Sequence, residues 1–408
     1  MAIASIGRRA AIGGGALLVA GPFPGATRLA RAQQQGAGPI RIGVLTDETG
    51  PYVDSGGKGS VLAAQMAAAD FGASVLGQPI EILHADTRNK PEIAARIARQ
   101  WYDSGVDAVV DLPVTSVAAA VQQVAREKNK TVMITAAAAS EFTAKTCSPV
   151  STHWADDTHA LAAGTAAQIV KSGGKSWFFI TVDFAFGTAL EHDATEVITA
   201  NGGRVLGSVR YPIGNTDYSS MVLQAQASRA QVIGLASVGN DLDNLVKQAG
   251  EFGIQKGGGQ TLAGFLIYIT DVHALGLDVA GGFTFASGFY WDQSDASRAW
   301  AKRFFTAQKA MPTRVQAAVY TASLHFLKGM QQAGTRDAVA VNKAMRASPV
   351  NYFGHPASIR ADGRVLYDLT VYRVKRPQER RAPWDYYNAI ATIPAGQAFL
   401  PMNSACQS

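Results

Sequence analysis

The chain has 408 residues, 47% of them apolar and 17% charged, which is enough for two sizeable cores and excludes wholesale disorder. The net charge of +6 owes much to Arg8, Arg9, Arg28 and Arg31 in an acid-free leader. The remaining 33 basic and 31 acidic side chains nearly balance, so nucleic acid and anionic lipid are excluded as main partners.

Residues 1–32 read as an export signal. Arg8 and Arg9 make a basic start, and residues 10–21 (AAIGGGALLVAG) an apolar stretch too short to span a bilayer. Ala30 and Ala32 supply small residues ahead of Gln33. The paired arginines leave the twin-arginine and general secretory routes both open. No later stretch reaches about 18 uninterrupted apolar residues, so a soluble protein outside the cytoplasm is expected. Cys147 and Cys406 form an even pair in an exported chain and are expected to join in a disulfide. Without CxxC spacing or a histidine cluster, they make a poor metal site.

After a polar linker at 33–38, strand-like and helical runs alternate. Residues 40–46 read as a strand, 59–72 as a helix with Leu62, Met66 and Ala69 on one face, and 80–86 as a strand. Residues 91–105 read as a helix opened by proline and closed by glycine, with Ile93, Ile97 and Trp101 at intervals of four. Strand 107–112, helix 116–129 and strand 131–136 complete a β-α-β passage. The rhythm restarts with helix 157–174, strand 175–183, helix 189–203, strand 204–212, helix 218–230 and strand 231–237. Helix 241–254 and strands 260–268 and 282–290 follow. Such alternation implies parallel sheets covered by helices, and two units in series imply two lobes. Residues 294–347 read as helical, and 363–375 with 385–394 as a closing hairpin.

Few motifs suggest catalysis. SGGKGS at 55–60 resembles a phosphate loop, but Gly59 follows Lys58 and no fitting glycine lies upstream. Its glycines suit a loop that passes close to a small ligand. Asp156 and Asp157 read as helix caps rather than an acid pair. His153 and His159 lack metal-ligand spacing, and no GxSxG or HExxH occurs. An enzyme is poorly supported, and no cofactor or metal is expected. The stretch TVDFAFG (181–187) is more informative. It sets Phe184 and Phe186 in the loop leaving a strand, where α/β proteins bind ligands.

Residues 40–70 place a strand, Thr49-Gly50-Pro51, a glycine-bearing loop and an alanine-rich helix in that order. In 81–110, Asp86 precedes Pro91 ahead of a helix and strand, and VDFAFG (182–187) forms a further turn motif. Together these resemble the periplasmic substrate-binding proteins of ABC transporters, in the type I leucine/isoleucine/valine-binding group. The likeness covers residues 40–400. Residues 269–283, FYWD (289–292) and 383–401 are similar to a subgroup of which some members bind aromatic or related hydrophobic carboxylates.

The resemblance implies the α/β periplasmic-binding-protein type I (Venus flytrap) fold. Two Rossmann-like lobes with central parallel sheets would be joined by a three-strand hinge. An N-terminal lobe is expected at 39–153 plus 290–364 and a C-terminal lobe at 154–289 plus 365–408. A bond between Cys147 and Cys406 would then brace the hinge side. The implied partners are a small-molecule carboxylate in the cleft and the membrane permease subunits of an ABC importer. The protein is expected to be a monomer.

Strand exits on both sides of such a cleft supply the candidate contacts. The first lobe offers Tyr52, Pro113, Thr115 and Ser116, and the backbone of Ala136, Ala137 and Ala138. A helix beginning at Thr115 and Ser116 would present free N–H groups and a partial positive charge. Their hydroxyls would complete a carboxylate cradle without arginine, and plain helix capping is their simpler role. The second lobe offers Phe184, whose ring stands where amino-acid-binding members often carry tyrosine. Phe186 reads more readily as core. Asp271 lies near the acid that amino-acid binders keep for an ammonium group. It is open to an ammonium, a para-hydroxyl or a turn cap. Tyr290 and Trp291 would line the cleft edge. These contacts favour an aromatic carboxylate, with a branched-chain amino acid or a periplasmic sensing role as the alternatives.

Overall fold

Short apolar strands alternate with helices to build two parallel sheets in series, in a computed structural model that describes residues 38–254, 259–403 and 406. The export signal expected at 1–32 lies outside the described residues. Among them, no helix is long and apolar enough to cross a membrane.

The first sheet is built from β1 (Ile40–Thr46), β2 (Ser74–Val75), β3 (Gln78–Asp86), β4 (Ala108–Asp111), β5 (Thr131–Ile134) and β6 (Ser151–His153), in the order β2-β3-β1-β4-β5-β6. All its pairings are parallel except β2 with β3. Helices α1 (Gly57–Phe71), α2 (Pro91–Asp103) and α3 (Thr115–Lys128) connect its strands. The centre of the sheet is buried on both faces, which is why β4 and β5 read as continuous apolar runs.

After α4 (Thr158–Lys171), a second sheet forms from β7 (Ser176–Val182), β8 (Arg204–Tyr211), β9 (Val232–Ala236) and β10 (Thr261–Gly264), ordered β10-β9-β7-β8 and wholly parallel. It carries α5 (Ala185–Ala200), α6 (Ser219–Ala227), α7 (Asn240–Glu251), α8 (Ile269–Leu275) and α9 (Leu277–Ala280). β11 (Thr284–Ser287) leads away from this unit. Helices α10 (Asp295–Gln308), α11 (Arg314–Ala333) and α12 (Ala338–Ala347) return the chain to the first, with α10 and α11 packed on α1. The chain closes with β12 (Val350–Tyr352), β13 (His355–Ile359), β14 (Val365–Leu366), β15 (Leu369–Val374), β16 (Tyr387–Ile393) and α13 (Ala395–Ala398).

Several expectations need correction. α1 begins at Gly57 rather than 59, so two glycines of SGGKGS are helical. A β-carbon on Gly59 would lie 2.2 Å from the Gln316 side chain, so that glycine admits α11 instead of a ligand. On α1, Met66 is buried as expected but Ala69 is exposed. On α2 the buried face is Ala94, Ala98 and Tyr102, with Ile93, Ile97 and Trp101 half-buried at its flank. The strand expected at 260–268 stops at Gly264, and residues 269–275 turn helical. The run 363–375 is two strands, because β14 pairs with β13 while β15 pairs with β11 and β16. The β12–β13 hairpin was not anticipated.

The passages between the two sheets meet at one buried carboxylate. Asp156 accepts hydrogen bonds from Gly288 N (3.0 Å), Tyr367 Oη (2.8 Å) and Arg314 Nη1 (2.9 Å). Arg314 also donates to Ala286 O. Three stretches far apart in sequence, 154–157, 286–290 and 364–368, are thereby tied to the start of α11. Asp157, expected as a cap, does cap α4 by accepting from Ala160 N; Asp156 does not. Arg364 completes the region by contacting Asp157, Ala155 O and His153 Nδ1. Burial and the Arg364 charge hold His153 well below its ordinary pKa, so its neutral ring donates from Nε2 to Ala137 O.

Cys147 and Cys406 form a disulfide that closes a separation of 259 residues. Such a long closure restricts the unfolded chain strongly. Reducing it is expected to lower the unfolding free energy by about 2–5 kcal/mol. Urea titrations of oxidised and reduced protein measure this, and coincident midpoints would contradict it.

Candidate functional site

The exits of β1, β4, β5, β7, β9 and β10 converge on one crevice. The loop after β1 is organised by Asp47, whose carboxylate accepts from Gly50 N, Tyr52 N and Asn89 Nδ2. That fixes Tyr52 at the crevice wall. The exit of β4 is strained, with Asp111 at φ 87° and Leu112 at φ 69°, a conformation that costs ordinary residues free energy and tends to mark functional turns. It delivers Pro113 to the wall and starts α3 at Thr115.

Between these walls lies a cavity of about 370 Å³ free of protein atoms, open solvent at the mouth included. Tyr52, Ser55, Pro113, Thr115, Ala136 and Ala138 face it from the first sheet's side. Phe184, Phe186, Val238, Leu266 and Tyr268 face it from the second's. No charged side chain is among them. Phe184 caps α5 and Phe186 sits in its first turn, so both rings reach the wall, with centroids 5.9 Å apart. Phe186 is at once buried core and lining, because α5 begins earlier than its sequence pattern suggested.

Three helices begin at this cavity without a side-chain cap. Val114, Phe184 and Gly239 hold the cap positions of α3, α5 and α7, and none makes a side-chain capping bond. Their first-turn N–H groups therefore lack intrahelical partners, and their dipoles place partial positive charge there. The Thr115 hydroxyl is buried and makes no hydrogen bond. Gly239 at φ 63° lets the two walls meet, since a β-carbon there would sit 2.9 Å from Pro51 O.

The remaining expected site residues are elsewhere. Ser116 is exposed on α3 and does not line the cavity. Ala137 is buried, does not line it, and turns its carbonyl to His153. Asp271 is buried at the start of α8, where its carboxylate accepts from Tyr268 N. Burial, then nearby Asp243, holds Asp271 well above the ordinary carboxylate range. Trp291 is half-buried, and its indole N–H donates to Trp384 O.

Sequence reasoning missed Ser55, Val238, Leu266 and Tyr268 of the lining and, beside it, Arg314. Arg314 is buried, stands 5.1 Å over the Tyr268 ring, and lines two small pockets that share Tyr268 with the cavity. Its one sequence signal is a basic residue opening an otherwise apolar helix face.

Asp111 is fully buried behind the β4 exit, and neither oxygen has a hydrogen-bond partner. Burial pushes its pKa up to about 6. A carboxyl raised in the folded state favours folding below its unfolded pKa. That advantage is lost as pH rises from about 4 to about 6. Asn tolerates positive φ and mimics the protonated acid. Asp111→Asn is therefore expected to raise stability at pH 7 by about 1–3 kcal/mol and to flatten the pH dependence. Denaturant titrations between pH 4 and 7 measure both effects, and an unchanged slope would contradict the assignment.

No curated protein matches the sequence. A family model described as periplasmic binding protein matches residues 39–380. A periplasmic binding protein from Burkholderia mallei is similar at 44% identity, with TM-score 0.88 and coverage of 91% of this chain and 99% of that one. A branched-chain amino acid ABC transporter ligand-binding protein from Burkholderia xenovorans is 36% identical, with TM-score 0.80 and coverage of 89% and 97%. At 18% identity, an ABC-transporter solute-binding protein from R. palustris, solved with benzoate, shares the fold, with TM-score 0.80 and coverage of 91% and 100%. With this matched span and these neighbours, the chain belongs to the type I periplasmic binding proteins of the branched-chain amino acid ABC transporter family.

Proposed function

We propose that the protein is a periplasmic solute-binding protein that captures a small hydrophobic, aromatic carboxylate and delivers it to the permease subunits of an ABC importer. Lobes at 39–153 plus 290–364 and 154–289 plus 365–408 close on the solute as rigid bodies. The observation that carries this reading is the meeting of uncapped helix starts and paired phenylalanine rings at one cavity. A carboxylate would accept from the free N–H groups of α3 and from the Thr115 hydroxyl, in the place of a missing cap. Phe184 and Phe186 would receive the ring, with Pro113, Val238 and Leu266 completing an apolar wall.

An α-amino acid needs a further group for its ammonium. Asp271 is the acid nearest that role, but it is buried outside the cavity lining and engaged by its own helix start. The 36% identical relative is a branched-chain amino acid ABC transporter ligand-binding protein, so leucine is the discriminating competitor. The benzoate complex of the distant R. palustris protein supports an aromatic acid within this fold.

Calorimetry with benzoate, phenylpropanoid acids and leucine tests the reading. Phe184→Ala is expected to weaken aromatic acids by about 1–3 kcal/mol, the scale of one large apolar side chain. Thr115→Val is expected to weaken any carboxylate by about 1.5–3 kcal/mol, the range for a hydrogen bond to a charged group. Exposed Ser116→Ala serves as a control and is expected to stay within about 0.5 kcal/mol. Tight leucine binding with no response to aromatic acids would overturn the proposal.

A further inference from the structure

We infer that the solute carries a second, uncharged oxygen at the end away from its carboxylate, and that Arg314 and Tyr387 are the residues that select for it. This inference rests on the carboxylate reading above and deepens it.

The starting point is a pair of buried polar atoms without partners. Arg314 Nη2 and Tyr387 Oη are both enclosed and make no hydrogen bond. Arg314 and Tyr387 line the same part of the crevice, among Ile267, Ile269, Phe285 and Phe289. This part adjoins the carboxylate end through shared walls. Tyr268, Leu266 and Ala136 border both the main cavity and the next part inward, and Tyr268 and Arg314 border both that part and the last.

The guanidinium is not free to find another acceptor. One nitrogen is held by Asp156 Oδ2 at 2.9 Å and Ala286 O at 3.2 Å, and the group is stacked over Tyr268. Its remaining N–H donors are thus aimed by the fold before any solute arrives. Leaving a buried donor unmet is unfavourable, so the site rewards an acceptor that reaches it.

The surrounding charges define the acceptor. Arg314 is already neutralised by Asp156. A second carboxylate would leave a buried excess of negative charge, and an ammonium would face a cation that has only donors to offer. A hydroxyl, carbonyl or ether oxygen accepts from Arg314 and pairs with Tyr387 at no net charge. A fixed donor pair of this kind discriminates strongly, because the analogue lacking the oxygen leaves both groups unmet.

Arg314 itself is a poor target for replacement, because its loss would strand the Asp156 carboxylate. The test is therefore a cycle that varies the solute and the tyrosine hydroxyl. Calorimetry on the full protein compares benzoate with 4-hydroxybenzoate, each on wild type and on Tyr387→Phe. The hydroxy acid is expected to bind at least tenfold more tightly than benzoate to the wild type. Tyr387→Phe is expected to remove most of that advantage while changing benzoate affinity less than twofold. Equal affinity of the two acids for wild type, as when bound water alone satisfies Arg314, overturns the inference and leaves the aromatic-acid reading standing. Equal weakening of both acids in Tyr387→Phe assigns the tyrosine a structural role and also overturns it. Failure of both acids alongside tight leucine binding overturns the aromatic-acid reading itself, and this inference with it.

Discussion

One buried carboxylate, Asp156, sets the geometry on which the rest of the molecule depends. It receives a backbone N–H from Gly288, a hydroxyl from Tyr367 and a guanidinium from Arg314, so passages distant in sequence share a single acceptor. A buried charge is tolerated only when its lone pairs are met, and removing one partner of such a pair typically costs about 3–5 kcal/mol. These passages are therefore held together tightly behind the crevice. The loops in front, carrying Tyr52, Phe184 and Gly239, meet mainly by contact across the cavity. A firm rear and a lightly joined mouth are the conditions for rigid-body closure.

The mouth is left polar and unsatisfied in a definite way. Helices α3, α5 and α7 start there without side-chain caps. An empty closed cavity would hold buried donors with no acceptor, which is unfavourable. On the proposed reading, a ligand that supplies the acceptor would interact more strongly with a closed arrangement than with an open one. That difference in affinity is what shifts the equilibrium. On the inference above, Arg314 would belong to both the rear anchor and the solute-facing wall.

Most of the alternation of strands and helices was legible in the sequence, because buried parallel strands such as β4 and β5 are continuous apolar runs and helices such as α2 carry clear end signals. Thr115 was legible too, since it follows a strand and begins a helix. Residues whose role depends on distant neighbours were not. Arg314 reads as one basic residue on an apolar helix, and only the fold brings it to Asp156 and Tyr268. Asp156 and Asp157 are adjacent and chemically identical, yet one caps a helix and the other ties chain passages together. Ser116 shares its hydroxyl chemistry with Thr115, but one step along a helix turns it to solvent. The β12–β13 hairpin was hidden because its proline and glycine read as breaks, not as parts of a small sheet.

The measurement that tests the account most directly is a crystal structure of the protein with benzoate at saturation. The account predicts that the carboxylate sits about 3 Å from the first-turn N–H groups of α3 and from Thr115 Oγ1, a normal hydrogen-bond distance, with its ring against Phe184. A benzoate bound outside the crevice, or one whose carboxylate points away from the start of α3, would contradict it.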